Sequence, residues 1–560
     1  MSQLISRRRA LQGGGLLAAS LALAACGGGK GAGLAPSTQA VGSIDINPQP
    51  RDNVRDGGDL RLPLTGLPNN YNYNQVDGTT TVVSDLSGAI LPTWFIGTAD
   101  GGVRVNPDYA TSVELTSTSP QVVTYTINPK ATWSDGGPIS WLDFAAYWKA
   151  SNGSNPAFQT SGTTGYSDIS SVVRGVDDRQ AVVTFGKAFA EWQGLFNPFF
   201  PASLNATPEA FNTAWRTTIP VTAGPFTLDS IDQGAQTVTL RRDPKWWGTP
   251  AKLDRVIYKV VDISALSDAI ANNEIDCFEL GSSADLLRRA QNTPGVQVRN
   301  APSRIYNNIT VNGAPGAILN DRALRRAALQ GIDRAAVTRR LIGATVPDAQ
   351  PDGNHIYVPG VKQYRDNADV LPFDAAAANR ALDQLGWVRN GATRQKNGTP
   401  LTLRMVLLNA PTNTDVAKTV QNQLAQIGVT VTLQQLPGNQ IVPAQTTGNF
   451  DLVVGGWGTT TTPLSSTVGI FATVVGNNIQ QNYGRIANPQ IDTLFTQAIA
   501  ELDDEKRAEL GNQIDRLIWD EGHSIPLYAR PGAVAVRATL ANFGAHGFAD
   551  IDYINAGYVK

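Results

Sequence analysis

The chain has 560 residues, 42% of them hydrophobic and 16% charged, with a formal net charge of −2. The near-neutral balance leaves no basic footprint for a nucleic-acid partner, and the length suffices for two or three domains of about 100–200 residues each. Gly 54, Pro 33 and Trp 11 indicate a turn-rich α/β body, and the only cysteines are Cys26 and Cys277.

In chain order, the first predicted element is an address. A basic start is followed by a short apolar stretch from Leu16 to Ala25, the layout of a secretory signal. A bilayer core needs about 20 helical residues, so this stretch is too short to be a durable span. The run Leu23-Ala24-Ala25-Cys26 resembles a bacterial lipobox. It implies a signal peptide over 1–25 and an acylated Cys26, whose two chains would suffice for stable anchoring. Ser6-Arg7-Arg8-Arg9-Ala10-Leu11-Gln12 resembles a twin-arginine export signal, with Ala10 where phenylalanine is usual. A Sec signal is also basic, so both routes stay open. Residues 26–50 are rich in Gly, Ala, Pro and Ser; they are expected to form a flexible tether with a reach of roughly 27 Å. With Cys26 acylated, Cys277 reads as a small buried residue.

The folded part is expected from Gly57 onward. Strands are predicted over Gly57–Leu62, over Gln121–Ile127 and over Gln180–Phe185, where apolar and β-branched residues alternate. Asp135-Gly136-Gly137-Pro138 is a turn by its chemistry. Ser140 then caps a helix carrying Trp141, Phe144 and Trp148. Ser151 to about Ser171 reads as loop. Further strands are predicted over 237–240, 256–261, 401–408, 429–433 and 450–454, and helices over 265–272, 319–341, 374–386 and 415–427. Strands alternating with helices imply α/β units.

An ordered series of blocks now carries a family resemblance. It comprises Trp133-Ser134-Asp135-Gly136-Gly137-Pro138-Ile139, Ala223-Gly224-Pro225-Phe226, Arg242-Asp243-Pro244-Lys245-Trp246-Trp247-Gly248 and Asn273-Glu274-Ile275-Asp276. Asp321 to Ala327 with Ile332-Asp333-Arg334, Leu385-Gly386-Trp387, Gly456-Trp457 and Ile525-Pro526-Leu527 complete it. The chain resembles the extracellular solute-binding proteins of ABC importers, family 5 (peptide/nickel class), above all actinobacterial oligopeptide-binding lipoproteins. The resemblance implies an α/β fold of the type II periplasmic-binding-protein kind, with three lobes around a hinged cleft. Lobe I would comprise 51–88, 222–303 and 525–560, lobe II 89–221, and lobe III 304–524. The hinge would lie near residues 303 and 525. Implied partners are a peptide or peptide-like ligand, ABC permease and ATPase subunits, and the outer face of the cell membrane; the implied state is a monomer. No cofactor and no metal are implied, and no enzyme. No G-x-S-x-G, H-E-x-x-H or C-x-x-C run occurs, and the three histidines are scattered. A receptor that senses a non-peptide solute without import is the alternative, a secreted hydrolase a remote one.

A cleft for peptides of varied sequence must rely on backbone pairing. Gly455, Gly456, Trp457, Thr459 and Thr460 are the first candidates, because glycines let a ligand approach the backbone. In peptide-binding relatives an aspartate three residues after this Trp holds the ligand ammonium; here Thr460 stands there. Either another acid, such as Asp77 or Asp100, replaces it, or the loop is shifted, or the ligand lacks a free ammonium. Tyr71 and Tyr73, in an Asn-rich run expected at the cleft edge, are further candidates, as are Tyr306 and Asn308 after the first hinge segment and Asn482 as a donor.

Overall fold

A computed structural model describes residues 43–474 and 479–560. The expected signal peptide, Cys26 and the expected tether up to residue 42 lie outside the described residues. The folded body is mixed α/β and is organised by four principal sheets.

The first runs Asp59–Leu64, Arg255–Val260, Thr237–Arg242, Phe226–Asp232, with only the first pair parallel. The second is antiparallel: Ala110–Thr118, Gln121–Ile127, Gln180–Phe185, Ile169–Arg174. The third has five strands in the order Thr430–Leu436, Thr402–Leu408, Leu452–Gly458, Ile305–Val311, Ser524–Ala529. The fourth places Gly532–Arg537 between Cys277–Glu279 and Val296–Ala301.

The chain passes twice between the fourth sheet and the five-stranded one, at 302–304 and at 530–531. The sequence reading put the second crossing near 525. It lies later because Ser524–Ala529 pairs with Ile305–Val311 and buries Ile525 and Leu527 completely. The last residues of the expected tether are seated on the body. Asp45 bridges Ala545, and the backbone of Gln49 donates to the Asn542 side chain, so residues 43–50 are attached to the body.

Local chemistry explains most elements. Ser140 and Asp143 form a reciprocal capping box at the start of Trp141–Ser151, satisfying two orphan donors at once. The region 319–341 is two helices, Arg322–Gln330 and Arg334–Ile342, because Asp333 caps a new start with a bond from Ala336 N. The loop expected from Ser151 to about Ser171 ends earlier, at the strand Ile169–Arg174; Ser170 and Ser171 dilute its apolar signal, yet Ile169 and Val172 are buried. Trp246 and Trp247 pack on each other and on Tyr109, and Trp247 Nε1 donates to Asp108 O, so they anchor a turn. Cys277 is buried, which pushes its thiol up to about 12.

The largest core gathers Trp94, Tyr125, Tyr147, Phe144, Phe196 and Phe199 beneath the second sheet. A second core lies under the five-stranded sheet and is mainly aliphatic.

Candidate functional site

The strand Leu452–Gly458 continues through the glycine-rich run, which the sequence reading had placed after the strand's end. Its pairing is lopsided. On one side it faces Ile305–Val311 along its whole length. On the other, its partner Thr402–Leu408 stops at Leu407 opposite Val454.

The ladder sets the direction of each peptide group. Thr459 N donates to Arg304 O at 2.8 Å and Asn312 N to Asp451 O at 2.9 Å, both between directly opposed residues. Antiparallel pairs alternate between bonded and non-bonded. Residues 453, 455, 457 and 459 therefore turn their backbone groups toward Ile305–Val311, Asp451 turns only its carbonyl that way while its N–H donates to Arg404 O, and Gly456 and Gly458 turn theirs away. Beyond Val454 no strand among the described residues runs beside them. Both glycines are exposed. The result is a short open strand edge with no side chains to screen it.

The other predicted residues divide. Trp457 is half-buried and stacks on Tyr483 with centroids 6.0 Å apart. Thr459 doubles its grip on Arg304 O through Oγ1 at 3.2 Å. Thr460 is exposed, and its hydroxyl accepts from Thr462 N at 3.1 Å, ordering the turn into the helix Pro463–Phe471.

Others are used up internally. Tyr306 is buried and donates to His355 O at 3.0 Å. Asn482 is buried, donating to Ala472 O and Ile486 O and facing His523 Nε2 at 3.1 Å. Both side chains are buried and satisfy internal groups. His523 is buried too, which pulls its imidazole down to about 3. Asn308 is buried with its Nδ2 on Thr310 and its Oδ1 unpaired.

In the Asn-rich run, Asn70 and Asn72 hold Asn212 O and Phe211 O of the short helix Pro208–Thr213. They staple the loop in place and are wholly buried. Tyr71 is buried, with an unpaired hydroxyl. Tyr73 alone of the run's tyrosines is half-buried. Asp100 closes its own hairpin turn through Thr98 Oγ1 and Gly102 N, and Asp77 is exposed beside Gln75.

An acid that the sequence reading missed is Asp85, on the helix Thr81–Ile90. Its side chain reaches solvent, yet the surrounding protein desolvates it, as in a recess. Desolvation, with the charge of Glu279 second, pushes its carboxyl up to about 6. The charge of Asp85 is felt in turn by Tyr73, Tyr258 and Tyr553. No local motif marks it, since Glu279 is remote in sequence.

A second missed residue joins distant parts of the chain. Glu191 Oε1 accepts from Leu464 N at 3.0 Å, and Oε2 from Ser465 N at 2.7 Å and Ser465 Oγ at 2.5 Å. It thus supplies the cap that Pro463–Phe471 lacks from its own Thr462. Burial pushes its carboxyl up, and these bonds offset part of that. Beside it, Ala190 N donates to Ile499 O at 2.6 Å.

The model of the bacterial extracellular solute-binding proteins, family 5, matches residues 104–478. The chain belongs to this family. Oligopeptide-binding protein OppA of Mycobacterium tuberculosis is 44% identical over 535 residues, which cover 94% of this chain and 90% of that protein. Among solved structures, the periplasmic EDTA-binding protein EppA superposes with a TM-score of 0.86 at 24% identity, covering 93% of this chain and 99% of that one. The oligopeptide-binding protein AppA from Bacillus subtilis, in complex with a nonapeptide, gives 0.74 at 19% identity, covering 90% and 100%. The fold is therefore that of the family 5 periplasmic binding proteins. The protein is an extracytoplasmic solute-binding protein, and among the described residues no helix is long and apolar enough to cross a membrane.

Proposed function

We propose that this protein captures oligopeptides or peptide-like solutes and delivers them to an ABC permease. The observation that carries this reading is the open strand edge at Gly456–Gly458. Only the backbone of a peptide is constant, and an exposed edge offers main-chain partners whatever the ligand's side chains. The likeness to OppA supports the same ligand class. The body divides at the two crossings, 302–304 and 530–531, about which lobes would close on the ligand as a hinge motion. The region 89–221 would be the second lobe, and residues 304 to about 529 the third. Cys26 would carry the lipid, with residues 27–42 as the remaining tether and the protein working as a monomer beside its permease.

Native mass spectrometry of the purified mature protein, followed by calorimetry with a pentapeptide library, tests the ligand class. Peptides of mixed sequence should co-purify and bind. Recovery of one uniform sugar or metal complex, with no peptide binding, would overturn the reading. For the anchor, Cys26→Ser should move the protein from the membrane fraction to the medium or periplasm; retention in the membrane would exclude lipidation at that residue.

A further inference from the structure

The second crossing carries an arginine that the family blocks do not include. Arg530 stands just past the end of Ser524–Ala529, with its backbone N–H on Ile305 O at 2.8 Å. Its Nε donates to Asn307 Oδ1 at 2.5 Å, and Asn307 Nδ2 donates to Tyr528 Oη at 3.0 Å. Asn307 lies opposite Gly456 on one side and Tyr528 on the other. These three residues form a row across three strands, on one face of the sheet. Asn307 and Tyr528 are buried, Arg530 is half-buried and Gly456 is exposed.

Glycine at 456 is what admits the guanidinium. A Cβ there would stand 2.7 Å from Tyr306 O and 3.1 Å from Arg530 Nη2. The cation therefore lies against the strand whose far edge is open.

Arg530 has no carboxylate partner among the described residues, and its one side-chain bond goes to a neutral amide. Arg304 on the other crossing differs. Its guanidinium donates to Phe548 O, lies 5.3 Å from the Phe548 ring centroid and feels the charge of Asp550. Both arginines are half-buried, but Arg530 has no ring contact and no acidic neighbour of that kind among the described residues. Sheltering a charge without a counter-charge is costly. A guanidinium fork matches a carboxylate through two parallel bonds.

We propose that Arg530 is the anion subsite of this protein, taking a carboxylate of the bound solute beside the Gly456–Gly458 edge. The proposal rests on the peptide reading above and narrows it to ligands that carry a carboxylate at that point. The carboxylate belongs either to a peptide C-terminus or to an acidic side chain.

The test is calorimetry with a pentapeptide library in three forms: free acids, C-terminal amides, and amides with one glutamate in place of glutamine. Wild type should bind at least one carboxylate-bearing form about ten-fold or more tighter than the neutral amides, ~1.4 kcal/mol. Preference for the free acids identifies the C-terminus; preference for the glutamate amides identifies a side chain. Arg530→Gln should erase the preference, and Arg530→Lys should keep part of it. Equal affinity of wild type for all three forms overturns the proposal without any variant, while leaving the peptide reading intact. A preference that survives in a folded Arg530→Gln protein also overturns it. Binding of none of the three forms by wild type overturns the peptide reading as well.

Discussion

Beneath the sheet of residues 110–185 the interior is built of rings. Trp94 touches Tyr125, Phe144 and Phe199 with centroids 4.8–5.7 Å apart, and Tyr147 and Phe196 extend the cluster. The five-stranded sheet is built differently. Its core is mainly aliphatic, and its central strands carry Asn307, Asn308, Gly455, Gly456 and Gly458. Aromatic rings give large buried area with few rotatable bonds; asparagines and glycines give polar groups and bare backbone at the expense of packing. The first region is organised to hold shape, the second to leave backbone and charge within reach.

The sharpest way to break this comparison is to remove a ring. Trp94 is fully buried, and Trp94→Ala should destabilise by about 3–5 kcal/mol, read as a lower denaturant midpoint. A loss under about 1 kcal/mol would mean that the ring cluster is not the stabilising unit.

Gly456→Val tests the other region. Its Cβ would press on Tyr306 O and Arg530 Nη2, so solute affinity should fall about ten-fold or more, ~1.4 kcal/mol. The fold should survive by circular dichroism. Unchanged affinity in calorimetry would remove this edge from the binding surface.

Glu191, just past the first of these sheets, holds the helix Pro463–Phe471 that follows Leu452–Gly458. Glu191→Ala leaves the Leu464 and Ser465 donors unpaired and should cost about 1–3 kcal/mol, whereas Glu191→Gln should cost less. An equal loss for both variants, measured by thermal unfolding, would assign the effect to charge alone.

The smallest expected effect concerns pH. The Asp85 carboxyl is raised from 3.8 to about 6, by desolvation first and Glu279 second. A raised carboxyl favours the protonated folded state, so its contribution is complete below 3.8 and is lost as pH rises through about 6. Because the side chain reaches solvent, screening keeps the effect small. Asp85→Asn should flatten the stability profile between those values. An identical profile in urea titrations would show that Asp85 does not titrate there.

Alternating strands such as Gln121–Ile127 and capped helices such as Trp141–Ser151 were legible because their signals are local: period, cap and turn residue. Trp457 and its glycines were legible as a candidate through composition. The open edge was not, since it depends on where Thr402–Leu408 stops. Asp85 and Glu279, Arg530 and Asn307, and Glu191 and Ser465 escaped for one reason. Each pair is joined across long stretches of chain, and no spacing encodes it. Tyr306 and Asn482 misled because polar residues near a cleft motif look available until their internal partners are seen.

The seated segment at residues 43–50 has a mechanical consequence. Asp45 bridges Ala545, Val54 bridges Val559, and Lys560 N donates to Asn53 O. The two ends of the body are thus sewn to each other, nearly closing the chain into a ring. A pull on residue 43 is met first by shear against the segment around Ala545, far along the chain from Gly456.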